Sequence, residues 1–557
     1  MNDFVELENF LKSENEKVRQ SIPEDIYTVK AMIQIVVRTM DVFYSQHYKG
    51  NEDNNSTLYE LGYTKALNFL IGPAIETPGW ITTPTNETIW NWANAFIVHC
   101  GKIALTERYQ IYVKAGIVHL SYEAEARKFC FQYRAGDVDI EQVDRQAANW
   151  YKQLINNGFS KPNLDLLLNK YEPVRQKLFQ IVQPWLGHMI SYLYDDPVID
   201  EYYQKLAYYR SASMLNQDLF PPDSKFNGIP YAAFRDFAEL TMAVSIKHKD
   251  FCGQLIKKNP ATNILDIISL FRSRTDSISN AAAFLNQSPE TVAALVDSLT
   301  LFPENRDYHV NREVSPAPPF IQIGGDSLIQ SAFGCEGNPY YFMNNELKRA
   351  YPKDYFNAVN DREKYFRDEL YMLFNSPRYV TVHKSVVIKI KNVHTDIDAA
   401  VLHPESGTLA IFQLKWQDPF GKSMKERYSR IKNFYPKTIE WIEKVIQWLN
   451  DNDSKLILAS LGLDNTVTIN KALLFVVNRN AANFSGYEND KRAAWTSWYR
   501  LLNSASRLPV DCPNELKQLY QILTEKISES KEPETDEKYE FDLSDRIIEI
   551  KSATSAN

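Results

Sequence analysis

Three side chains late in the chain have the types and spacing for phosphodiester chemistry: Asp398, Gln413 and Lys415. Asp398 lies in Thr395-Asp396-Ile397-Asp398-Ala399-Ala400-Val401, and the other two lie in Ile411-Phe412-Gln413-Leu414-Lys415-Trp416. Both segments read as strands. Between them, His403-Pro404-Glu405-Ser406-Gly407-Thr408 offers the Pro, Ser and Gly of a hairpin turn. Residues two apart on a strand share a face, so Gln413 and Lys415 point together, Leu414 enters the core, and Asp398 on the partner strand can face the pair. A carboxylate binds a hard divalent cation such as Mg2+ or Mn2+, and a carboxamide adds a neutral oxygen ligand. Such a cation would polarise a phosphate and lower the pKa of a bound water. Lys415 would steady the charge that develops on the phosphate. Asp398 could instead cap a turn. A carboxylate between Ile397 and Ala399-Ala400-Val401 would then be costly without a charge partner, which favours a site. Gln413 pulls the other way, because a neutral amide holds Mg2+ more weakly than a carboxylate.

The elements around this hairpin must hold it. A helix is expected over 364–374, with Phe366, Leu370, Leu373 and Phe374 on one stripe and Pro377 stopping it. Strands are expected over 379–390, 396–402 and 409–416. A helical stretch follows over 423–450, with a kink or break at Pro436, and then a buried strand over 473–477. Lys422, Lys425, Arg427, Arg430, Lys432 and Lys437 follow the hairpin with only Glu426 among them. This basic stretch suits a phosphate backbone passing the site, with a solvated helix face as the competing reading. Gly421-Lys422-Ser423 is no phosphate loop, since Trp416 stands where the earlier glycine belongs. His394 and His403 read as turn or surface histidines, and 491–500 as an amphipathic helix docking on the domain.

Element order and motif together resemble the PD-(D/E)xK nuclease superfamily, in the Mrr-type variant with Gln in the third motif position. The match covers about 345–480. The resemblance implies that Asp398 is the metal-binding aspartate, Gln413 the variant second ligand and Lys415 the catalytic lysine. It also implies a glutamate on the first helix, with Glu363 first in line and Glu369 second. The implied activity is that of a Mg2+- or Mn2+-dependent endonuclease acting on DNA, with RNA also open, in restriction or antiviral defence. Cutting both strands would suit a homodimer. The alternative is a nucleic-acid-binding or assembly module whose nuclease domain is catalytically degenerate.

The 557 residues exceed one core, and 44% hydrophobic and 13% aromatic content exclude a disordered chain. An all-α N-terminal region is expected over 1–220, where it would suit a protein partner. A helical module follows over 221–344. It carries a helix-turn-helix-like pair (Ser288 as N-cap, Pro289 at the first position) and a winged-helix-like hairpin from 320–323 and 327–330, then the α/β restriction-endonuclease-like domain over 345–480. The second helix of the pair has no Lys or Arg, so it reads as a protein-contact element rather than a DNA reader. C-terminal helices over 481–527 and an acidic, flexible tail over 528–557, with a short strand at 546–550, complete the expectation. Five scattered cysteines without CxxC spacing argue against a disulfide framework or a zinc site and fit a reducing cytoplasm. The acidic N-terminus lacks the marks of a signal peptide, and no apolar run reaches a membrane span. The net charge of −8 leaves nucleic acid to a local basic patch.

Overall fold

The computed structural model describes residues 2–47, 54–71, 83–133, 139–186, 189–192, 194, 196–214, 216–310, 312, 315–390, 393–418, 423–484, 487–509, 511–525 and 538–551. The fold is mixed α/β, with helices predominating, and divides into two compact units. The first comprises Met1–Gln132, Ile155–Tyr355 and Lys538–Lys551, and the second is built from Tyr133–Leu154 and Phe356–Glu537. No helix among the described residues is long and apolar enough to cross a membrane. The five cysteines are free and buried.

In the first unit, the helices Asn54–Leu70 and Glu87–Lys114 approach so closely at Gly62 and Gly101 that a Cβ on Gly62 would stand 1.9 Å from the Ile97 carbonyl oxygen. Only glycine permits that approach. The long helix Tyr231–Lys258 is buried along much of its length. Arg274–Leu285 and Pro289–Asp297 form the expected helix pair, with Asn286 in the left-handed region between them (φ 50°). Ser288 caps the second helix by accepting from the Thr291 amide at 3.2 Å. Phe320–Gly324 and Ser327–Gln330 form the expected antiparallel hairpin, extended by Leu270–Ser273.

The N-terminal region is not all-α. Val118–Glu123 and Lys128–Tyr133 are strands, and the second pairs in parallel with Arg546–Lys551. Lys538–Leu543 adds a fourth strand beyond it. The expected flexible tail is therefore a hairpin over 538–551, while 528–537 and 552–557 lie outside the described residues. Its charges mislead because they pair across strands: buried Glu549 lies within 4 Å of the ammonium groups of Lys538, Lys551 and Lys128.

The second unit holds the hairpin that carries Asp398, Gln413 and Lys415. Its elements are α1 (Asp139–Ile155), α2 (Pro352–Met372), β1 (Val380–Thr381), β2 (Val386–Ile390), β3 (Val393–Ile397), β4 (Ala399–His403), β5 (Thr408–Lys415), α3 (Met424–Asp451), α4 (Ser454–Ser460), β6 (Lys471–Asn478), β7 (Ala493–Ser497), α5 (Trp498–Ser506) and α6 (Glu515–Thr524). One five-stranded sheet runs β1-β4-β5-β6-β7. β4 and β5 are antiparallel through the predicted turn, where Gly407 takes φ 62°, and β5-β6-β7 are parallel. β2 and β3 form a separate two-stranded ribbon. α3 packs Ile431, Phe434, Trp441, Ile442 and Val445 into the core shared with Ile388, Ile397 and Ile411.

Four expectations give way here. The strand 379–390 is two pieces, and the strand 396–402 is broken at Asp398. α3 passes Pro436 unbroken, because its burial stripe continues from Ile431 and Phe434 to Trp441 and Val445 on either side. Residues 493–497 of the predicted docking helix are instead the buried edge strand β7, and a helix starts only at Trp498.

Candidate active site

Asp398 stands where the chain leaves the β2–β3 ribbon and enters the main sheet: Ile397 still pairs with Val386, and Ala399 already pairs with Phe412. The bend turns its carboxylate inward, and the residue is 2% exposed. Its Oδ2 accepts from the Leu414 amide at 2.8 Å and from the Gln413 side-chain Nε2. Lys415 Nζ lies 3.7 Å from the same oxygen and 3.3 Å from Glu363 Oε1 on α2. The side chains of Asp398, Gln413, Lys415 and Glu363 thus meet at the C-terminal end of the central strand β5. Gln413 is buried, Lys415 is partly exposed and Glu363 is half exposed, so the cluster opens to solvent on the α2 side.

Burial pushes the Asp398 carboxyl well above the usual carboxylate range. Lys415 opposes the shift, and Glu363 and Asp396 reinforce it. Burial works against the Lys415 charge, yet Asp398, Glu363 and Asp396 together hold its ammonium above the ordinary value. Gln413 meets Asp398 through its amide nitrogen. Acting as a ligand would require its Oε1 to be the atom that faces the same point. Among the described residues, no group of three or more His, Cys, Asp or Glu side chains is placed to hold a metal ion.

The supporting groups were not visible as such in the sequence. Arg367 of α2, one turn beyond Glu363, is buried and donates from Nη1 to the Asp398 carbonyl at 3.2 Å. Tyr371, a further turn on, donates to the Val382 carbonyl at 2.6 Å, while its hydroxyl oxygen accepts from the Ala400 amide at 3.3 Å. α2 thus stitches itself to the Asp398 backbone, to β4 at Ala400 and to Val382 just beyond β1. The spacing 363, 367, 371 is one helical stripe, a signal that apolar patterning passes over. Glu369, the second choice for the helix glutamate, points elsewhere: it pairs with Arg479, whose guanidinium lies 4.4 Å from the Trp416 ring centroid.

The basic stretch is not one surface. Lys422 lies outside the described residues, and the side chain of Lys425 is not described. Arg427 is 8% exposed, with its guanidinium carbon 5.9 Å from the Phe484 ring centroid. Arg430 donates from Nε to the Asp418 carbonyl at 3.0 Å. Lys432 is exposed. Arg427 stands four residues before Ile431 and seven before Phe434, on the buried stripe of α3, and so turns inward. His403 is buried with Nδ1 2.8 Å from the Ser406 hydroxyl, a turn-holding role, and His394 is exposed.

In comparisons with known proteins, no family model, no curated protein and no solved structure matches this chain.

Proposed function

We propose that the second unit is a restriction-endonuclease-like domain and that the chain is a metal-dependent endonuclease acting on DNA. The observation that carries this reading is the convergence of Asp398, Gln413, Lys415 and Glu363 at the C-terminal end of the central strand of a mixed sheet, with α2 before the hairpin in the chain and α3 after it. Asp398 and Gln413 would hold Mg2+ or Mn2+, with Glu363 able to add a carboxylate. The cation supplies Lewis-acid polarisation of the phosphate and activation of water. Lys415, held by Asp398 and Glu363, presents a fixed ammonium to the charge that develops on the phosphoryl oxygens. Leu414 and Arg367 fix the Asp398 carboxylate and backbone, so the acid does not have to reorganise when phosphate arrives. Of the described basic stretch, Lys432 and Lys437 are the exposed groups open to a backbone contact. The helix pair and hairpin of the first unit are read as a winged-helix-like structural or protein-contact module, since the second helix, Pro289–Asp297, carries no Lys or Arg.

The test is a cleavage assay on linear, circular and single-stranded DNA and on RNA, with Mg2+ and Mn2+. Asp398→Ala and Lys415→Ala should abolish cutting. Cutting by these variants at the parent rate would overturn the assignment. One observation favours a second reading, a nucleic-acid-binding module with a degenerate nuclease domain: Gln413 offers Asp398 an N–H rather than leaving its oxygen toward a cation. Salt-dependent DNA binding without Mn2+ binding in calorimetry would select that reading.

A further inference from the structure

Asn478 closes strand β6, and its register partner on β5 is Lys415. Partners in a parallel pair carry their side chains on one face, about 4.8 Å apart. Asn478 therefore stands beside Lys415 on the face that also bears Gln413. It is 1% exposed, and its carboxamide has a fixed direction. A backbone carbonyl can only accept, and the Arg430 carbonyl accepts from Gln417 Nε2 at 3.2 Å. That turns Gln417 Oε1 toward Asn478, whose Nδ2 donates to it at 3.2 Å. Asn478 Oδ1 is left over, buried and without a hydrogen-bond partner among the described residues. An unmet buried acceptor is costly and calls for an explanation. Lys415 supplies one. Its Nζ lies 3.3 Å from Glu363 Oε1 and 3.7 Å from Asp398 Oδ2, the two carboxylates that would turn to a divalent cation. When they do, the ammonium loses both acceptors and a second positive charge stands beside it.

We propose that Asn478 is a positioning residue of the site: its Oδ1 accepts the Lys415 ammonium when Asp398 and Glu363 take up a divalent cation. The proposal rests on the endonuclease reading and names the residue that keeps the lysine fixed in the loaded site. The distance between neighbouring strands is well within the length of a lysine side chain, so Nζ changes acceptor without leaving its face of the sheet. An amide suits this task. It accepts from the ammonium without adding a carboxylate that would compete for the cation, and the lysine keeps its charge for the phosphate. Asn480 Nδ2 also donates to the Gln417 carbonyl at 2.9 Å, so Gln417 is tied to the residues after β6 at two points. Through Arg430, Gln417 and Asn478, the backbone of the second turn of α3 sets the direction of the amide beside Lys415.

The test is a double-mutant cycle on the full chain: parent, Asn478→Ala, Lys415→Ala and the double variant. Mn2+ affinity is read by calorimetry, and cleavage of DNA and RNA is measured separately. A hydrogen bond to a charged group corresponds to about a tenfold change or more in an equilibrium constant. Asn478→Ala should therefore weaken Mn2+ binding about tenfold or more when Lys415 is present, and should change nothing in the Lys415→Ala background. Melting without metal checks that each variant is folded, and Asn478→Val, which suits a buried strand, takes the place of an alanine variant that does not fold. Equal losses in both backgrounds, or no loss in either, overturn the holding role, and the endonuclease reading then stands if the parent cuts. A loss confined to the background with Lys415, while no protein cuts any nucleic acid, supports the holding role and overturns the endonuclease reading. A parent that does not bind Mn2+ overturns both.

Discussion

Replacing Asp398 by Asn should make the metal-free protein more stable at pH 8 than its parent, and the gain should vanish in acid. The carboxyl is 2% exposed, and burial raises its pKa. The Lys415 ammonium at 3.7 Å is worth about 4 kcal/mol at an effective dielectric of 20, and it does not cancel the desolvation. A carboxyl whose native pKa lies above its unfolded value binds its proton more tightly in the folded state. Stability therefore falls as pH rises from the unfolded value through the native one, and the full cost is present above it. Every tenfold gain in proton affinity on folding corresponds to about 1.4 kcal/mol, so a cost of about 2 kcal/mol at pH 8 is a conservative figure. For a unit of this size it moves an unfolding midpoint by roughly 4–8 °C. The assay is the difference in melting midpoint between Asp398→Asn and parent from pH 5 to pH 9. Adding Mn2+ should stabilise the parent by about 2.7 kcal/mol at a hundredfold excess over its dissociation constant and leave the variant unchanged. Parallel pH profiles for the two proteins would refute the account of a strained, buried carboxylate.

Glu363→Gln should reduce cleavage sharply with little change in midpoint, because Glu363 is half exposed and touches Lys415; Glu369→Gln should do the reverse, and comparing rate and midpoint for both separates the two helix glutamates. Arg479→Ala should destabilise the second unit by about 3 kcal/mol, read by denaturant midpoint, since it removes the ion pair with Glu369 and empties the stack on Trp416. Gly407→Ala should cost more than about 1 kcal/mol, because the position has φ 62° and a Cβ would lie 2.3 Å from the Thr468 carbonyl oxygen; a variant as stable as the parent would sink that reading of the turn. Asp144→Ala should loosen α1 from the rest of the second unit, visible as faster amide exchange at Ala482 and Asn483, whose N–H groups donate to that carboxylate at 2.9 Å.

What could be read from the residues alone was mostly short in range. The β4–β5 hairpin, its glycine turn, the Ser288-Pro289 helix start and the 320–330 hairpin all have their partners within a few residues. The meeting of Asp398 with Gln413 and Lys415 follows from that hairpin, and Glu363 joined them only through a family resemblance. The misses share a different cause. β7 depends on β6 as its neighbour, so Ala493-Ala494-Trp495 carries no alternation of its own and resembles a helix face. Arg427 looked like surface charge because a run of basic residues, read without the helical period, hides the turn that takes it inward. Arg367 and Tyr371 act on backbone groups, which no side-chain pattern announces. A strand over 546–550 is legible in the sequence, but its partner at 128–133 is not, because nothing local links them.

That last pairing sets a schedule for synthesis. Lys128–Tyr133 emerges from the ribosome roughly four hundred residues before Arg546–Lys551, and at 5–20 residues per second the interval is roughly 20–80 s. Through that interval, the strand's hydrogen-bonding edge has no partner from this sheet on that side, and Phe129 and Phe131, both fully buried in the finished protein, lie along it. The first unit reaches its final sheet only after the second has been made. A chain cut short anywhere after the second unit therefore carries its defect at the opposite end, as an open strand edge near residue 130, which is the kind of surface chaperones bind and aggregates grow from.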